Sequence, residues 1–213
     1  GGSDLKKQQE QLGIDNFDLF NWRFSENGVL AFNGSECIHS ASFVDQLGEN
    51  HFKQFINICL LVIAQVDCPV KRGTFIEYRR GMLNISPIGR ACSQEERDQF
   101  EIYDKQHQIR SIMIEQITQK WNLYLEKNQL QYLLPKIKFA VGGQISIDIF
   151  PEGWDKTYCL QFVEDKYDHI YFFGDRTDLG GNDYEIYIDK RVTGFKVENY
   201  QHTIELLQDK FLN

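Results

Sequence analysis

The sequence predicts an α/β protein in which a second, α+β domain is inserted into the chain of a first, α/β domain. From Asp155 onward, helix-like and strand-like segments alternate, as in the β-α-β units of a parallel sheet. Before that point the pattern is different, with paired strands and long helices. The length of 213 residues allows two domains of ordinary size. We therefore predict one domain formed by residues 1–37 and 154–213, and an inserted domain formed by residues 38–153.

The composition argues against several classes of protein. There are 23 lysine and arginine residues against 31 aspartate and glutamate residues, so the formal net charge is −8. A broad basic surface for nucleic acid is therefore not expected, because phosphate neutralisation dominates such binding. No apolar run reaches the roughly 18 residues that cross a bilayer, and the five cysteines contain no C-x-x-C pair. We expect a cytoplasmic protein with reduced thiols that binds neither nucleic acid nor a membrane.

The N-terminal part predicts a helix and a pair of strands. Helical spacing of apolar residues runs from Leu5 to Leu12 and ends at Gly13, a residue that readily adopts the left-handed conformation of a helix end. Residues 20–24 and 29–32 have the character of short strands. The sequence Glu26-Asn27-Gly28 between them is typical of a turn.

The inserted domain begins with a helix and a hairpin. Apolar residues recur at helical spacing from Phe43 to Val66, which predicts one buried helix. It should end at Cys68-Pro69, because the residue before proline resists helical backbone angles. Two strands, Thr74 to Tyr78 and Met82 to Ile85, should then pair through a turn at Arg80-Gly81.

A long helix and several shorter elements follow. Ser93 with Glu96 three residues later is the pattern of a capping box, so a helix should start there. It should continue to Lys127, with a break near His107. A further helix is expected after Asp155. The remaining predicted elements are strands at residues 138–141, 145–149, 169–174 and 193–197, a short helix before the last of these strands, and a helix at residues 203–211.

An acidic, glycine-rich segment follows the predicted strand that ends at Gly174. Asp175 comes directly after this strand, and Gly180-Gly181-Asn182-Asp183 brings a second acidic group. In an open α/β sheet, ligands bind at the carboxyl ends of the strands. Because Mg²⁺ prefers carboxylate oxygens, Asp175 is a candidate magnesium ligand. The alternative is an ordinary turn in which aspartate and asparagine cap a helix.

Arginines cluster in the inserted domain. Arg79 ends a predicted strand, Arg90 follows Ser86-Pro87-Ile88-Gly89, and Arg97 lies in the first turns of a helix. Three guanidinium groups brought together would suit a phosphate dianion, since each presents a planar fork of donors. The alternative is that they are scattered surface residues in ion pairs. Arg72 and Arg80 lie near the cluster in the sequence, and the acidic partners in the alternative would be Glu95, Glu96 and Asp98.

Two polar residues alternate with isoleucines on the strand after Gly142-Gly143. Strand geometry places Ser146 and Asp148 on one face and the isoleucines on the other. A hydroxyl and a carboxylate two residues apart could hold sugar hydroxyls, although the solvent face of an amphipathic strand has the same pattern. Lys156, at the start of the following helix, could meet a phosphate or be a plain surface lysine.

Several long motifs resemble those of eukaryotic phosphomannomutases. They are Lys71 to Arg79, Gly81 to Arg90, Gly142 to Lys156 and Phe172 to Glu185, together with Gly1 to Asp4 and Ser25 to Gly28. The resemblance runs from residue 1 to residue 211. It implies a haloacid dehalogenase-like, Rossmannoid core with an inserted α+β cap, in a cytoplasmic homodimer joined through the caps.

The resemblance also implies an activity and its cofactors. Members of the family interconvert mannose 6-phosphate and mannose 1-phosphate through a phosphoaspartate, and this reaction feeds GDP-mannose synthesis. They need Mg²⁺, and a hexose 1,6-bisphosphate acts as activator. The sequence alone does not separate mannose from glucose phosphates, since some relatives of the family use both sugars.

The family's functional positions fall on particular residues of this sequence. The matches are Arg79, Arg90 and Arg97 for phosphate binding, Ser146 and Asp148 for sugar contact, Asp175 for the core Mg²⁺, Lys156 for steadying the phosphoaspartate, and Ser3 for a small hydroxyl near the phosphoryl group. Tyr187 and Asp189 match a second, peripheral cation site. Lys190 and Val192 stand there in place of the usual proline and threonine, so that site loses a hydroxyl and gains a positive charge.

A larger departure from the family is an absence. The family's nucleophile and its acid/base partner come from an Asp-x-Asp-Gly-Thr motif, which does not occur in these 213 residues. Without a carboxylate nucleophile no phosphoenzyme forms, so we expect phosphosugar binding with little or no turnover. We expect the N-terminal segment with this motif to be missing from the sequence. The alternative is a naturally short, non-catalytic relative that binds phosphosugars or pairs through its cap.

Overall fold

The structure of the chain is a computed structural model that describes residues 2–13, 16 and 19–212. Gly1, which belongs to one of the motifs above, lies outside the described residues. The chain divides into two compact units. The first unit comprises Gly1–Ser40 and Gly153–Asn213, and the second comprises Ala41–Glu152. The second unit is therefore one continuous segment that interrupts the first unit in the chain.

Strands and helices are numbered here in chain order. They are α1 (Leu5–Leu12), β1 (Trp22–Ser25), β2 (Leu30–Asn33), β3 (Glu36–Ser40), α2 (Phe43–Leu47), α3 (Glu49–Gln65), β4 (Ile76–Tyr78), β5 (Leu83–Ile85), α4 (Gln94–His107), α5 (Ile109–Lys127), β6 (Ile137–Gly142), β7 (Ser146–Pro151), β8 (Tyr171–Gly174), α6 (Tyr184–Tyr187), β9 (Thr193–Lys196) and α7 (Tyr200–Leu207). Short 3₁₀ helices span Glu26–Gly28 and Lys156–Phe162, and a π-helical turn spans Gln208–Leu212. Within the described part of the chain, no helix is both long and apolar enough to cross a membrane.

The second unit is built on a four-stranded antiparallel sheet in the order β4-β5-β7-β6. Helix α5 contacts both α3 and β7. Ile145, Ile147 and Ile149 are buried in the core between sheet and helices, which confirms the predicted alternation along this strand. Other members of that core are Phe55, Cys59, Met113, Ile117 and Trp121.

The first unit contains two small sheets. β1, β2 and β3 form an antiparallel sheet in sequence order. β8 and β9 pair in parallel, with Phe173 opposite Phe195 and Gly174 opposite Lys196. Helix α6 lies in the connection between these two strands, as parallel pairing requires a crossover. The predicted strand-helix-strand unit with parallel strands is therefore confirmed.

The predicted helices of the second unit are correct in part. The helix expected from Phe43 to Val66 is two helices, because Gly48 between α2 and α3 has φ 76° and interrupts the helical backbone. The expected break near His107 is confirmed, since Gln108 has φ 53° between α4 and α5. The capping box of Ser93 and Glu96 is also formed.

Two elements of the first unit differ from the sequence-based expectation. The helix expected after Asp155 is a 3₁₀ helix, and the side chain of Asp155 accepts a hydrogen bond from the backbone N–H of Thr157 at 2.8 Å. Strand β3 was not predicted. Its residues are mostly exposed and show no alternation, so it owes its conformation to pairing with β2 rather than to local pattern.

Two backbone segments approach closely at Gly89. This residue has φ +83°, and a Cβ atom there would lie 2.2 Å from the carbonyl oxygen of Gly73. Gly89→Ala should lower the free energy of unfolding by about 2–3 kcal/mol, because a positive φ and a backbone clash are combined. Urea denaturation measures the loss. Gly153→Ala is the control, since φ is +85° but the Cβ would meet open space; it should cost about 1 kcal/mol. Equal losses of unfolding free energy in the two variants would show that the close contact with Gly73 does not contribute to the effect of Gly89→Ala.

Candidate active site

A row of polar side chains crosses three strands of the second unit. Glu77 on β4 lies opposite Asn84 on β5, and Asn84 lies opposite Asp148 on β7. Because directly opposite residues of neighbouring strands share a face of the sheet, the three side chains form one line, here called the polar row. The side-chain amide of Asn84 donates through Nδ2 to Oδ1 of Asp148 at 2.6 Å.

Two of the predicted phosphate-binding arginines meet at the polar row. Arg79 Nε lies 3.1 Å from Oε1 of Glu77, and Arg90 Nε lies 2.6 Å from Oε2 of the same carboxylate. Arg90 also donates from Nη1 to Oδ1 of Asn84 at 2.6 Å. One carboxylate thus holds two guanidinium groups side by side, over a row that ends in a second carboxylate, Asp148.

The third predicted arginine is connected to the same group through the backbone. Arg97, on the first turn of α4, donates from Nη2 to the carbonyl oxygen of Arg90 at 2.9 Å. The neighbouring Arg72 is different, since its guanidinium pairs with Glu96 at 2.6 Å and is half-exposed. The structure therefore brings Arg79, Arg90 and Arg97 together and leaves Arg72 in a surface ion pair of the ordinary kind.

The predicted sugar-contacting residues lie at the other end of the row. Ser146 is buried and Asp148 is half-buried. A Cβ atom at Gly142 would lie 2.8 Å from Oδ2 of Asp148, so the glycine makes room for this carboxylate. Burial raises the pKa of the Asp148 carboxyl above its usual range, against the opposing effects of the Asn84 hydrogen bond and of the nearby arginines.

Asp148→Asn is expected to stabilise the protein at neutral pH. Because burial raises the pKa of Asp148, the ionised carboxylate destabilises the folded protein. This destabilisation develops as the pH rises from the usual aspartate pKa to the raised pKa of the folded state. At more acidic pH the group is protonated in both states and the cost vanishes. The gain in Tm should therefore be present at about pH 7 and absent at about pH 3, as measured by calorimetry.

Asp98→Asn is the control for this prediction. Hydrogen bonds from Gln144 and Gln94 lower the pKa of the Asp98 carboxyl, so its ionised form is favoured in the folded protein. Its replacement should lower the Tm at neutral pH, with the difference shrinking on acidification. A stabilising effect of Asp148→Asn that does not depend on pH would contradict the titration argument.

The first unit has a cavity of about 540 Å³ at the carboxyl end of β8. Its lining includes Lys156, Gly174, Asp175 and Asp183. Lys156 Nζ pairs with Oδ1 of Asp183, and the backbone N–H of Arg176 donates to Oδ2 of the same carboxylate at 3.1 Å. Asp183 is only 2% exposed and the side chain of Lys156 is 19% exposed, so the carboxylate of this ion pair is buried and the lysine is partly buried. We call this site the lysine–aspartate pocket.

The donor chemistry of the pocket suits a hard cation that keeps most of its water. Asp175 is exposed at the end of β8, where the sequence predicts it, and Asp183 supplies a second carboxylate. Mg²⁺ is commonly held by one or two carboxylates plus waters and substrate phosphate. Among the described residues no group of three or more histidine, cysteine, aspartate or glutamate side chains surrounds a single point.

The residues expected at the second cation site have protein partners. Arg191 donates to Asp189 through Nε at 2.9 Å and Nη2 at 2.7 Å, and its Nη1 reaches Glu164 at 2.6 Å. These bonds lower the pKa of the Asp189 carboxyl and raise the pKa of Arg191. Tyr187 packs closely on Gly194, where a Cβ atom would lie 2.5 Å from the tyrosine ring. The carboxylate that a second cation needs is thus held by a guanidinium group.

Ser3 takes part in a backbone contact. Its carbonyl oxygen accepts a hydrogen bond from the backbone N–H of Glu26 at 3.0 Å, which joins the N-terminal segment to the turn after β1. Ser3 is not among the described residues that line the lysine–aspartate pocket, whereas Asn27, in that turn, does line it. The expected role of Ser3 near a phosphoryl group stays a prediction.

Two site residues escape the sequence analysis, and the ion pair of a third is missed. Glu77 and Asn84 belong to the polar row, and Asp183 belongs to the lysine–aspartate pocket. The first two lie on short strands and give no local signal, because only strand pairing brings them beside Asp148. The Gly-Gly-Asn-Asp sequence does mark Asp183, yet its distance of 27 residues from Lys156 hides the pairing.

Solved structures with a similar fold are haloacid dehalogenase-like phosphatases. An IMP-bound mutant of the IMP-nucleotidase of Plasmodium falciparum matches with a TM-score of 0.52 and 14% identity, over 97% of this chain and 55% of that chain. The sucrose-phosphatase of Synechocystis, in complex with sucrose and phosphate, matches with a TM-score of 0.51 and 12% identity, over 100% of this chain and 73% of that chain. Such low identity shows the fold alone. The chain therefore has a haloacid dehalogenase-like α/β fold.

Sequence comparison narrows this class to one family. The family model of eukaryotic phosphomannomutase matches residues 1–213. Phosphomannomutases of Galdieria sulphuraria, Schizosaccharomyces pombe and Saccharomyces cerevisiae are 49%, 48% and 46% identical over 211, 215 and 212 residues, in each case 99% of this chain and 79% of the relative. The chain belongs to the eukaryotic phosphomannomutase family, as the resemblance of its motifs predicts.

Proposed function

We propose that this chain binds mannose phosphates at the polar row and its arginines, as part of a phosphomannomutase. The reaction interconverts mannose 6-phosphate and mannose 1-phosphate through a phosphoaspartate and supplies GDP-mannose synthesis. The names of the relatives support an enzyme of the phosphotransferase and isomerase type. The observation that carries the proposal is the convergence of Arg79 and Arg90 on Glu77, in line with Asn84 and Asp148.

The polar row offers what a sugar phosphate needs. The guanidinium forks of Arg79 and Arg90, with Arg97 behind them, would bind the phosphate dianion through charge-assisted hydrogen bonds. Glu77 keeps these forks side by side when phosphate is absent. The carboxylate of Asp148 would accept hydrogen bonds from sugar hydroxyls, and the hydroxyl of Ser146 could donate one or accept one.

The lysine–aspartate pocket would supply the phosphoryl chemistry. Asp175, which lines this pocket together with Asp183, is the proposed place of Mg²⁺, which when bound would neutralise charge on the phosphoryl oxygens. Lys156 would steady a phosphoaspartate by its positive charge. A calorimetric titration of the protein with MgCl₂ tests this assignment, and the absence of saturable binding would overturn it.

Turnover by these 213 residues should be very low. The covalent step needs an aspartate that accepts the phosphoryl group, and the sequence has no Asp-x-Asp-Gly-Thr motif to provide it. Positioning and charge stabilisation remain, but they act on a reaction without its nucleophile. A coupled mutase assay with a hexose 1,6-bisphosphate as activator and Mg²⁺ checks this, and family-like rates would overturn it.

Calorimetry tests binding separately from turnover. Mannose 6-phosphate is expected to bind more tightly than inorganic phosphate, because the sugar hydroxyls reach Ser146 and Asp148. Glucose 6-phosphate, titrated in parallel, decides whether the site separates the two sugars. Equal affinities for inorganic phosphate and mannose 6-phosphate would overturn the sugar-binding role of the polar row, and no binding of either would overturn its role as a phosphate site.

We also propose that two copies of the chain pair through their second units in the cytoplasm. The support is apolar surface on α3, where Leu60 and Leu61 are each 48% exposed. Sedimentation equilibrium of the wild-type protein and of Leu60→Glu checks this. A wild-type protein that is monomeric at micromolar concentration would overturn it.

A further inference from the structure

A buried arginine holds the turn between β6 and β7. Arg110, the second residue of α5, is 7% exposed. Its Nη1 donates to the carbonyl oxygens of Gly143 at 2.9 Å, Ser146 at 3.3 Å and Gly142 at 3.4 Å. A single guanidinium nitrogen therefore gathers three carbonyl groups from both sides of one turn.

The arginine is itself fixed by a buried carboxylate. Asp104, near the end of α4, is 8% exposed. Its Oδ2 accepts from Nε of Arg110 at 2.6 Å, and its Oδ1 accepts from the backbone N–H of Arg110 at 2.9 Å. Asp104 thus satisfies a free amide in the first turn of α5 and sets the direction of the guanidinium group. The pair leaves the arginine little freedom to release the turn.

The same turn is tied to α4 at its surface. Gln144 donates from Nε2 to Oδ1 of Asp98 at 2.7 Å and to Oε2 of Glu101 at 3.1 Å, and Gln94 donates to Oε1 of Gln144 at 3.0 Å. Two of these bonds are exposed and the bond to Glu101 is partly buried, whereas the bonds of Arg110 are buried or partly buried. The buried anchor is expected to decide where the turn lies, because water competes with the surface bonds.

The turn determines where the sugar-contacting pair lies. Ser146, whose carbonyl Arg110 holds, is the first residue of β7, and Asp148 follows two residues later on the same face. A slip of one residue would turn both side chains to the other face of the sheet. Arg110 also holds the carbonyl oxygen of Gly142, and this glycine packs against the Asp148 carboxylate.

We infer that Arg110 is a positioning residue, which fixes the register of β7 and so places Ser146 and Asp148 for the sugar. The effect of Arg110 on sugar binding rests on the proposed function, whereas its anchoring of the turn does not. Phosphate binding should depend little on Arg110, because Arg79 follows β4, Arg90 follows β5, and the carboxylate of Glu77 holds both guanidinium groups. Arg110 acts on selectivity for the sugar part alone.

The test uses a double variant and a conservative single variant. Arg110→Met alone would leave Asp104 buried without its cation, which is costly. The variant D104N/R110M removes both charges and is compared with Arg110→Lys, which keeps the charge and loses the fork. Lys138→Met is the matched control, because it removes an exposed ion pair with Glu152 at the far end of the same hairpin.

Hydrogen exchange and calorimetry are measured on each protein. In D104N/R110M the amides of residues 142–149 should exchange about tenfold faster, while those of β4 stay unchanged. The affinity for mannose 6-phosphate should fall about tenfold, the value of one charge-assisted hydrogen bond, and the affinity for inorganic phosphate should stay within about twofold. The exchange rates and affinities of Arg110→Lys should lie between those of D104N/R110M and the wild type, and those of Lys138→Met should equal those of the wild type.

The outcomes separate the inference from the proposed function. Unchanged exchange at residues 142–149, or equally faster exchange throughout the second unit, would overturn the role of Arg110. Equal losses of affinity for both ligands would also overturn it, because a positioning residue for the sugar leaves phosphate binding intact. Faster exchange confined to the turn, in a protein whose wild type binds no mannose 6-phosphate, would support the anchor and overturn the proposed function.

Discussion

Replacing Lys156 by methionine is expected to lower the free energy of unfolding by about 3 kcal/mol, the lower end of the cost of breaking a buried ion pair, because the lysine is partly exposed. Asp183 is 2% exposed, and its carboxylate has Lys156 and the backbone N–H of Arg176 as partners. The methionine keeps the length of the side chain but removes the charge. The carboxylate then stays buried with a single hydrogen bond. Urea denaturation monitored by tryptophan fluorescence measures the loss.

Two further variants show whether the buried charge is the cause. In the double variant K156M/D183N the charge is removed from both sides, so most of the lost stability should return, although one hydrogen bond stays weaker. Lys196→Met removes a similar lysine–aspartate pair, with Asp178, in the same unit, but that pair is exposed. It should leave the unfolding curve unchanged. If the double variant were as unstable as Lys156→Met, packing around the lysine would be the cause, and the electrostatic argument would be wrong.

The elements that the sequence predicts well are those with a strong local pattern. The capping box at Ser93 marks the start of α4, and alternation along β7 places the core residue Ile147 on the face opposite Ser146 and Asp148. Gly48 gives no clear signal in the sequence, since one glycine in a long apolar pattern is often tolerated by a helix. In the structure Gly48 has a positive φ, which interrupts the helical backbone, so that the one predicted helix is two helices.

The site was harder to predict than the fold, because its parts are joined by contacts between distant residues. Arg79 and Arg90 are visible as charged residues beside strands, but the partner that brings them together is Glu77, which has no local mark. The row of Glu77, Asn84 and Asp148 depends on the register of three strands, and the strand β7 comes more than 60 residues after β5. The sequence pattern offers the arginines and Asp148 as candidates and the family resemblance assigns their roles, but only the three-dimensional structure shows what connects them.

Arg97→Lys is expected to weaken the binding of mannose 6-phosphate about 10- to 150-fold, the equivalent of about 1.5–3 kcal/mol for charge-assisted hydrogen bonds. Arg97 keeps one arm of its guanidinium on the carbonyl oxygen of Arg90, so its position is fixed relative to the other two arginines. A lysine keeps the positive charge but offers no fork. It cannot hold that carbonyl and grip a phosphate in the same geometry. Calorimetric titration of both proteins measures the difference.

Arg72→Lys is the matched control for this prediction. Arg72 lies in the same part of the second unit and pairs with Glu96, but its side chain is 47% exposed and lies outside the chain of contacts from Arg79 to Arg97. Its replacement should change the affinity for mannose 6-phosphate by less than about twofold. If Arg97→Lys behaved in the same way, Arg97 would be a structural residue that supports the segment after β5. Because both substitutions conserve charge, a loss confined to Arg97 would identify the planar guanidinium group, and not the general positive potential, as the feature that binds phosphate.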